Sequence, residues 1–91
     1  MKVLYRPSFV RVFKNLPAGD QKEIRLRAAE LAEVFGRPHL HAGLGIRRIG
    51  NFFEFRCGLK IRVLFLLNAG EAVLVTAGNH DHIARWIRDN S

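Results

Sequence analysis

Five cationic side chains recur between positions 47 and 62 at the alternating spacing of β-strands. They are Arg47, Arg48, Arg56, Lys60 and Arg62, and Phe, Ile and Val occupy many of the positions between them. Successive strand residues point to opposite faces, so a hairpin here would gather cations on one face and apolar groups on the other. Because arginine forms bidentate contacts with phosphate, this face predicts a nucleic-acid-binding surface. The alternative is a solvated face with a salt bridge to Glu54, which would contribute less than about 1 kcal/mol.

The segment 78–82 reads Gly-Asn-His-Asp-His and lies where a predicted buried strand meets a predicted helix. A helix N-terminus presents free N–H groups and the positive end of the helix dipole, so it attracts phosphate. A neutral imidazole beside a phosphate can act as a general base. Under this interpretation, His80 is placed to act as a general base at a bound phosphate. Alternatively, Asn79 and Asp81 only cap the helix while both histidines face solvent.

Histidine and aspartate in two short segments raise a further possibility, a zinc site. The residues are His39, His41, His80, Asp81 and His82. They would form one site only if the two segments met in the fold, and no sequence feature brings them together. The sequence therefore predicts no metal and no other cofactor.

The chain has 91 residues, 48% of them hydrophobic, which predicts one folded domain spanning residues 1–91. Its formal charge of +7, from 15 Lys and Arg against 8 Asp and Glu, suits phosphate, an anionic membrane or an acidic protein partner. Cys57 is the single cysteine. We expect it to be a small core residue of a cytoplasmic protein. Residues 1–10 lack a signal-peptide pattern, and the apolar run Val63–Leu67 is too short to cross a membrane.

Apolar stripes and turn signals predict the elements that position these groups. A strand at Lys2–Tyr5 is followed by a helix that Ser8 caps, and then by a second helix with Asp20 and Glu23 at capping-box spacing. The remaining strands are expected to form a four-strand antiparallel meander, and a last helix begins after Asn79. This order of helices and strands predicts an α+β fold.

The predicted cation face depends on the register of one hairpin. We expect a three-residue turn at 57–59, which pairs Arg56 with Lys60 and Glu54 with Arg62. All four side chains then share one face of the sheet, with three cations around one carboxylate.

Two leucines extend this face of the predicted sheet. Leu64 and Leu66 would form an exposed apolar strip, which suits a protein partner. In the same register Arg48 falls on the apolar face, which indicates an edge position or a bulge. Trp86 is expected to pack into the core.

Five segments of the chain, taken in order, follow the pattern of a known family. They are Phe9–Pro17, Gln21–Phe35, His41–Leu44, Phe53–Phe65 and Gly78–Asp81. The central segment, Phe53–Phe65, is the most diagnostic, with an arginine before a glycine turn and another just after it. In this pattern the chain resembles the RelE/ParE superfamily of toxins from bacterial type II toxin–antitoxin systems.

The resemblance implies two N-terminal helices packed on a twisted, mostly antiparallel sheet of four to five strands, with a C-terminal helix. For RelE-like members it implies a metal-independent ribonuclease that cuts mRNA in the ribosomal A site, by attack of a 2′-hydroxyl on the scissile phosphate. Arg62 matches the family arginine that binds the transition-state phosphate, and Arg56 and Lys60 would hold neighbouring phosphates. His80 lies where YafQ-like and HigB-like relatives use a histidine as proton carrier. The resemblance therefore implies that His80 moves the proton and that His82 or Asp81 orients it.

The resemblance also implies a cognate antitoxin, the ribosome and mRNA as partners, with DNA reached only indirectly through the antitoxin complex and with no membrane partner. The chain departs from RelE proper in two places. Trp86 is the aromatic residue of the last helix, where RelE has a tyrosine, and Glu54 stands where RelE-like enzymes favour basic residues. A ParE-type toxin, which inhibits DNA gyrase by protein binding without catalysis, is therefore the alternative. A nucleic-acid-binding module without activity is a third reading.

Overall fold

A computed structural model describes residues 1–34 and 44–90. Within these ranges the elements run, in chain order, β1 (Lys2–Tyr5), α1 (Pro7–Phe13), α2 (Ala18–Val34), β2 (Arg47–Ile49), β3 (Phe52–Cys57), β4 (Ile61–Asn68), β5 (Glu71–Gly78) and α3 (His80–Asn90). In this part of the chain, none of the helices is long and apolar enough to cross a membrane.

The five strands form one sheet in the order β1-β5-β4-β3-β2. Strands β2 to β5 are an antiparallel meander, and β1 lies parallel to β5 at one edge. Two-residue turns join β2 to β3 and β4 to β5, at 50–51 and 69–70. The predicted α+β fold with a mostly antiparallel sheet is confirmed.

Helices cover both faces of the sheet. The first core lies between the sheet and the pair α1–α2, where Phe9, Ile24, Ala28 and Leu31 pack against strand residues such as Phe55. The second core lies on the opposite face, beneath α3. It contains Phe52, Leu64, Val75 and Ile83, with Leu66, Trp86 and Ile87 packed against it. The amphipathic spacing in α2 and α3 thus buries one stripe of each helix, as predicted.

The prediction that Leu64 and Leu66 form an exposed strip on β4 was wrong, because α3 packs on these residues. Leu64 is fully buried, and Leu66 is half-buried against the second core. The ring of Trp86 meets Phe52 edge-on at a centroid distance of 5.5 Å, so Trp86 packs against this core as expected, although it is only half-buried.

The register of the β3–β4 hairpin differs from the prediction by two residues. The turn occupies residues 58–60, and Cys57 pairs with Ile61, so that Arg56 lies opposite Arg62 and not opposite Lys60. Burial of the Cys57 side chain in the first core explains the shift, since this residue must belong to the strand and not to the turn. A shift of two residues leaves every side chain on the face predicted for it.

Two predicted helix caps were also wrong. Helix α1 begins at Pro7, with Arg6 as its N-cap residue, and the fixed φ of proline suits this first helical position. The hydroxyl of Ser8 instead donates a hydrogen bond to the carbonyl of Val75, at 2.7 Å. Helix α2 begins at Ala18, so Asp20 lies in its first turn and is not the N-cap.

Strand β5 contains a bulge that the sequence pattern did not reveal. Leu64 pairs with Thr76, but the next residue of β4 pairs with Leu74, so Val75 has no partner across the ladder. Leu74 and Ala77 belong to the first core, whereas Val75 belongs to the second. The extra residue therefore lets Val75 and Thr76 both face α3.

Candidate phosphate-binding cleft

Two arginines face each other across the β3–β4 hairpin. Arg56 and Arg62 are direct cross-strand partners on the face that α3 covers in part. Side chains at such positions begin only about 5 Å apart, and like charges there repel each other. A phosphate between the two guanidinium groups would relieve this repulsion, so the pair is suited to binding an anion.

The loop before β2 packs against Arg56. The backbone N–H of Arg56 donates to the carbonyl of Leu44 at 2.9 Å. The aliphatic part of the side chain lies over Gly45, whose φ is +59° and where an added Cβ would come within 3.4 Å of Cδ of Arg56. Gly45 therefore serves both the left-handed backbone and the close approach of the arginine.

Glu54 is a buried carboxylate between two arginines. Its side chain is 3% exposed, and Oε1 accepts a hydrogen bond from Nη1 of Arg62 at 2.9 Å. Nε of Arg47 lies 3.6 Å from the same oxygen, and the Arg47 side chain is 59% exposed. The ion pair between Glu54 and Arg62, predicted as a directly opposite pair, is present, but it runs diagonally across the ladder because Glu54 lies opposite Leu64.

His80 lies on the same side of the sheet as this ion pair. It is the exposed first residue of α3, and it lines a cavity of about 90 Å³ between α3 and the β2–β3 hairpin. Arg47 and Glu54 line the opposite wall of this cavity. We call Arg47, Glu54, Arg56, Arg62 and His80 the cation cleft. It combines guanidinium groups, a carboxylate and an imidazole, which can bind a phosphodiester and move protons beside it.

His82 is held against β5 and does not point into the cation cleft. Its Nε2 lies 2.8 Å from Oγ1 of Thr76, and its backbone N–H donates to Oδ1 of Asn79 at 2.8 Å. The predicted capping by Asn79 is therefore confirmed. Asp81 is exposed in the first turn of α3, where its charge favours the positive end of the helix dipole.

The remaining predicted cations lie away from the cleft. Lys60 is exposed in the 58–60 turn and lines a separate groove of about 410 Å³ with His82 and Asn79. Arg48 is on the opposite face of the edge strand β2, as its register predicted. Its Nε donates to the carbonyl of Gly50 at 2.9 Å, and its Cζ lies 5.9 Å from the centre of the Phe53 ring.

Burial raises the pKa of Cys57 to about 12. The desolvated thiol is therefore a poor nucleophile, and its expected role as a core residue is confirmed. The hypothesis of a zinc site required His39 and His41, which lie outside the described residues. Within those residues, no group of three or more His, Cys, Asp or Glu side chains could hold a metal ion.

Known structures share this arrangement of strands and helices. The chain superposes on the RelB–RelE antitoxin–toxin complex from Methanococcus jannaschii with a TM-score of 0.67, 21% identity, and coverage of 91% of this chain and 96% of that chain. For YafQ from E. coli the TM-score is 0.68, with 8% identity and coverage of 90% and 96%. For the intact E. coli RelBE toxin–antitoxin complex it is 0.58, with 10% identity and coverage of 86% and 94%.

The chain has the RelE toxin fold. No protein-family profile and no curated protein matches its sequence. The likeness to RelE and YafQ, at 21% and 8% identity, is therefore one of fold. It confirms the fold that the resemblance implied.

In this RelE fold, sequence reasoning missed two features around the cleft. Glu54 and Thr76 are the buried polar side chains of the described residues, and both belong to the α3 face. Burial of Glu54 follows from the packing of α3, which alternation within one strand does not reveal. A signal existed for Thr76, because it is the single hydroxyl in an otherwise apolar strand, Ala72–Ala77.

Proposed function

We propose that this protein is the toxin of a type II toxin–antitoxin system and that it cleaves mRNA on the ribosome. The observation that supports this most is the cross-strand pair Arg56–Arg62, which shares one side of the sheet with Glu54 and His80. The RelE fold and the formal charge of +7, which suits ribosomal RNA, are in accord with it.

The proposed reaction needs no metal. The 2′-hydroxyl of the nucleotide before the cut attacks the scissile phosphate, and the 5′-oxygen of the next nucleotide leaves, which gives a 2′,3′-cyclic phosphate and a 5′-hydroxyl. Arg62 stabilises the charge that develops on the equatorial phosphate oxygens. Arg56 and Arg47 hold the neighbouring backbone, and Lys60, on the turn beyond β3, reaches phosphates farther along the strand.

Proton transfer in this scheme falls to His80. Its imidazole either takes the proton of the 2′-hydroxyl or gives one to the leaving 5′-oxygen. Glu54 holds Arg62 in place through its hydrogen bond. His82 and Asp81 act on His80 indirectly, because His82 is bonded to Thr76 and Asp81 faces solvent.

The proposed partners follow from charge and fold. A cognate antitoxin with acidic residues would neutralise the cation cleft in the cytoplasm. The ribosome would supply the mRNA and orient it, since the cavity beside His80 measures only about 90 Å³.

An in vitro translation reaction, followed by primer extension on the mRNA, tests the proposal. The wild-type protein is expected to stop translation and to produce discrete 3′ ends in the message. Arg62→Ala and His80→Ala should each lower cleavage by at least about 100-fold. Circular dichroism checks that each variant is folded, since Arg62→Ala takes the closer cation away from the buried Glu54 carboxylate. Arg11→Ala removes the same charge from the exposed surface of α1 and should cleave like the wild type.

Three outcomes would contradict the proposal. Intact mRNA with unimpaired translation would refute the proposed nuclease activity. A fall in DNA synthesis without a block in translation would indicate a ParE-type action on gyrase. Full cleavage by the Arg62→Ala, His80→Ala double variant would show that the chemistry lies elsewhere on the surface.

A further inference from the structure

The bulge in β5 determines which face Thr76 occupies. In a regular strand Thr76 would share a face with Leu74, in the first core. Because Val75 is the extra residue, Thr76 points instead toward α3, where its hydroxyl meets Nε2 of His82 at 2.8 Å. Bulges commonly re-aim a side chain beside a functional site. A hydrogen bond from the hydroxyl of Ser8, in α1, to the carbonyl of Val75 also stabilises the bulge.

The ring of His82 fits into a space that only glycine leaves free. A Cβ at Gly78 would lie 2.7 Å from both Cγ and Cδ2 of His82, a distance that real side chains do not adopt. The φ of Gly78 is not in the left-handed region, so its backbone alone does not require glycine. The need for glycine comes from the imidazole that packs over it.

The same histidine closes the first turn of α3. Its backbone N–H is the one that Asn79 caps, at 2.8 Å, and the N–H of Ile83 donates to the carbonyl of Asn79 at 3.1 Å. His82 is thus bound at its ring to β5 and at its backbone to the helix cap. His80 is two residues earlier in the same turn.

We propose that Thr76, Gly78 and His82 form a lock that fixes the first turn of α3 on β5 and so positions His80 across the cavity from Arg47 and Glu54. Thr76 is a positioning residue that acts on His80 through His82. The presence of threonine at position 76 supports this role. Valine would suit a buried strand equally well, and a buried hydroxyl destabilises the fold unless it forms a hydrogen bond. The kinetic consequence of the lock rests on the proposed nuclease function, whereas its structural consequence does not.

A matched pair of variants separates the hydroxyl from the packing. Thr76→Val keeps the shape of the side chain and removes the hydroxyl, and Thr76→Ser keeps the hydroxyl. NMR of the uniformly ¹⁵N-labelled protein reports the ring nitrogens of both histidines and the hydrogen exchange of the amides in the first turn of α3. In Thr76→Val we expect shifted ring signals for His82 and His80. Exchange at Ile83 should become about five- to tenfold faster, the factor that one hydrogen bond contributes. Thr76→Ser should restore both.

A kinetic measurement tests the consequence for the reaction. With ribosome-bound mRNA, Thr76→Val should lower kcat on the order of 10- to 100-fold with little change in KM, because a misplaced proton carrier slows chemistry and not binding. Thr76→Ser should stay within about threefold of the wild type. Thermal unfolding of each variant shows whether a loss of activity is merely a loss of folded protein.

Different results would overturn the lock and the nuclease separately. Wild-type His80 signals and wild-type amide exchange in Thr76→Val would refute the lock, whatever the activity. A wild-type protein that does not cleave mRNA would refute the proposed function, and the NMR comparison would still decide the lock. Equal losses in Thr76→Val and Thr76→Ser would show that packing, not the hydroxyl, matters at this position.

Discussion

Nη1 of Arg62 donates a 2.9 Å hydrogen bond to Oε1 of Glu54, a carboxylate that is 3% exposed. The strongest candidate for a phosphate-binding arginine therefore already pairs with a carboxylate of the protein. A carboxylate in this position fixes the direction of the guanidinium group and leaves its other N–H groups for a ligand, since arginine has five donors.

Replacement of Glu54 by glutamine should destabilise the fold. The variant leaves Arg62 and Arg47 without their anionic partner, and we expect the free energy of unfolding to fall by about 1–3 kcal/mol. Glu30→Gln is the matched control, because Glu30 pairs with Arg27 on the surface and its side chain is 49% exposed. That change should cost less than about 1 kcal/mol. Urea unfolding measures both, and equal losses would show that burial of Glu54 adds nothing.

Loss of the Arg56 charge should weaken RNA binding in a salt-dependent manner. If Arg56 neutralises one phosphate, Arg56→Ala should reduce the slope of log K against log salt by about 0.7 for single-stranded RNA. Lys22→Ala, on the exposed surface of α2, should leave the slope unchanged. Fluorescence anisotropy of a labelled oligonucleotide at several salt concentrations gives both slopes. An unchanged slope in Arg56→Ala would show that Arg56 does not contact an RNA phosphate.

Alkaline pH should destabilise the protein through its cysteine. Burial raises the pKa of Cys57 from its ordinary 9.0 to about 12, so above pH 9 the unfolded chain loses a proton that the folded chain keeps. Between those values this thiol should lower the free energy of unfolding by about 1.4 kcal/mol per pH unit, and its contribution is fully present below pH 9. Unfolding of the wild type and of Cys57→Ala over this range isolates the effect. Parallel pH profiles would contradict it.

Asparagine in place of Ala69 should stabilise the β4–β5 turn. Ala69 has a φ of +53° and Gly70 a φ of +78°, so both central residues of this two-residue loop are in the left-handed region. This geometry is that of a type I′ turn, which favours Asn-Gly and strains alanine. We expect Ala69→Asn to raise the free energy of unfolding by about 0.5–1 kcal/mol, as measured in urea. A decrease would show that the turn is not of this type in solution.

The fold was largely predictable because its signals are local. Apolar stripes predicted the helices of the described residues, and turn residues such as Gly58 and Gly70 predicted the strand boundaries to within a few residues. What failed was set by contacts between distant segments. Because Cys57 is buried, the register of the hairpin differs by two residues from the predicted one. The hydroxyl of Ser8 does not cap the helix, because it donates its hydrogen bond to the carbonyl of Val75.

The candidate site was predictable in its residue types but not in its grouping. Alternation placed Arg47, Arg56 and Arg62 on one face, because that rule survives a register shift of two. Packing of α3 on the same face buried Glu54 and Leu64, and no pattern within a single strand contains this information. The β5 bulge likewise arises from the pairing of two strands, which neither strand's sequence encodes alone.

The parallel edge strand has a consequence for synthesis. Lys2 to Tyr5 pair with Glu71 to Leu74. Strand β1 can therefore form its backbone hydrogen bonds with β5 only after most of the domain has been synthesised. α3 follows β5 directly, and His80 emerges later still. A nascent or prematurely terminated chain that ends before residue 80 therefore carries the arginines without the histidine, and would be unable to perform the proposed reaction on the ribosome that is making it.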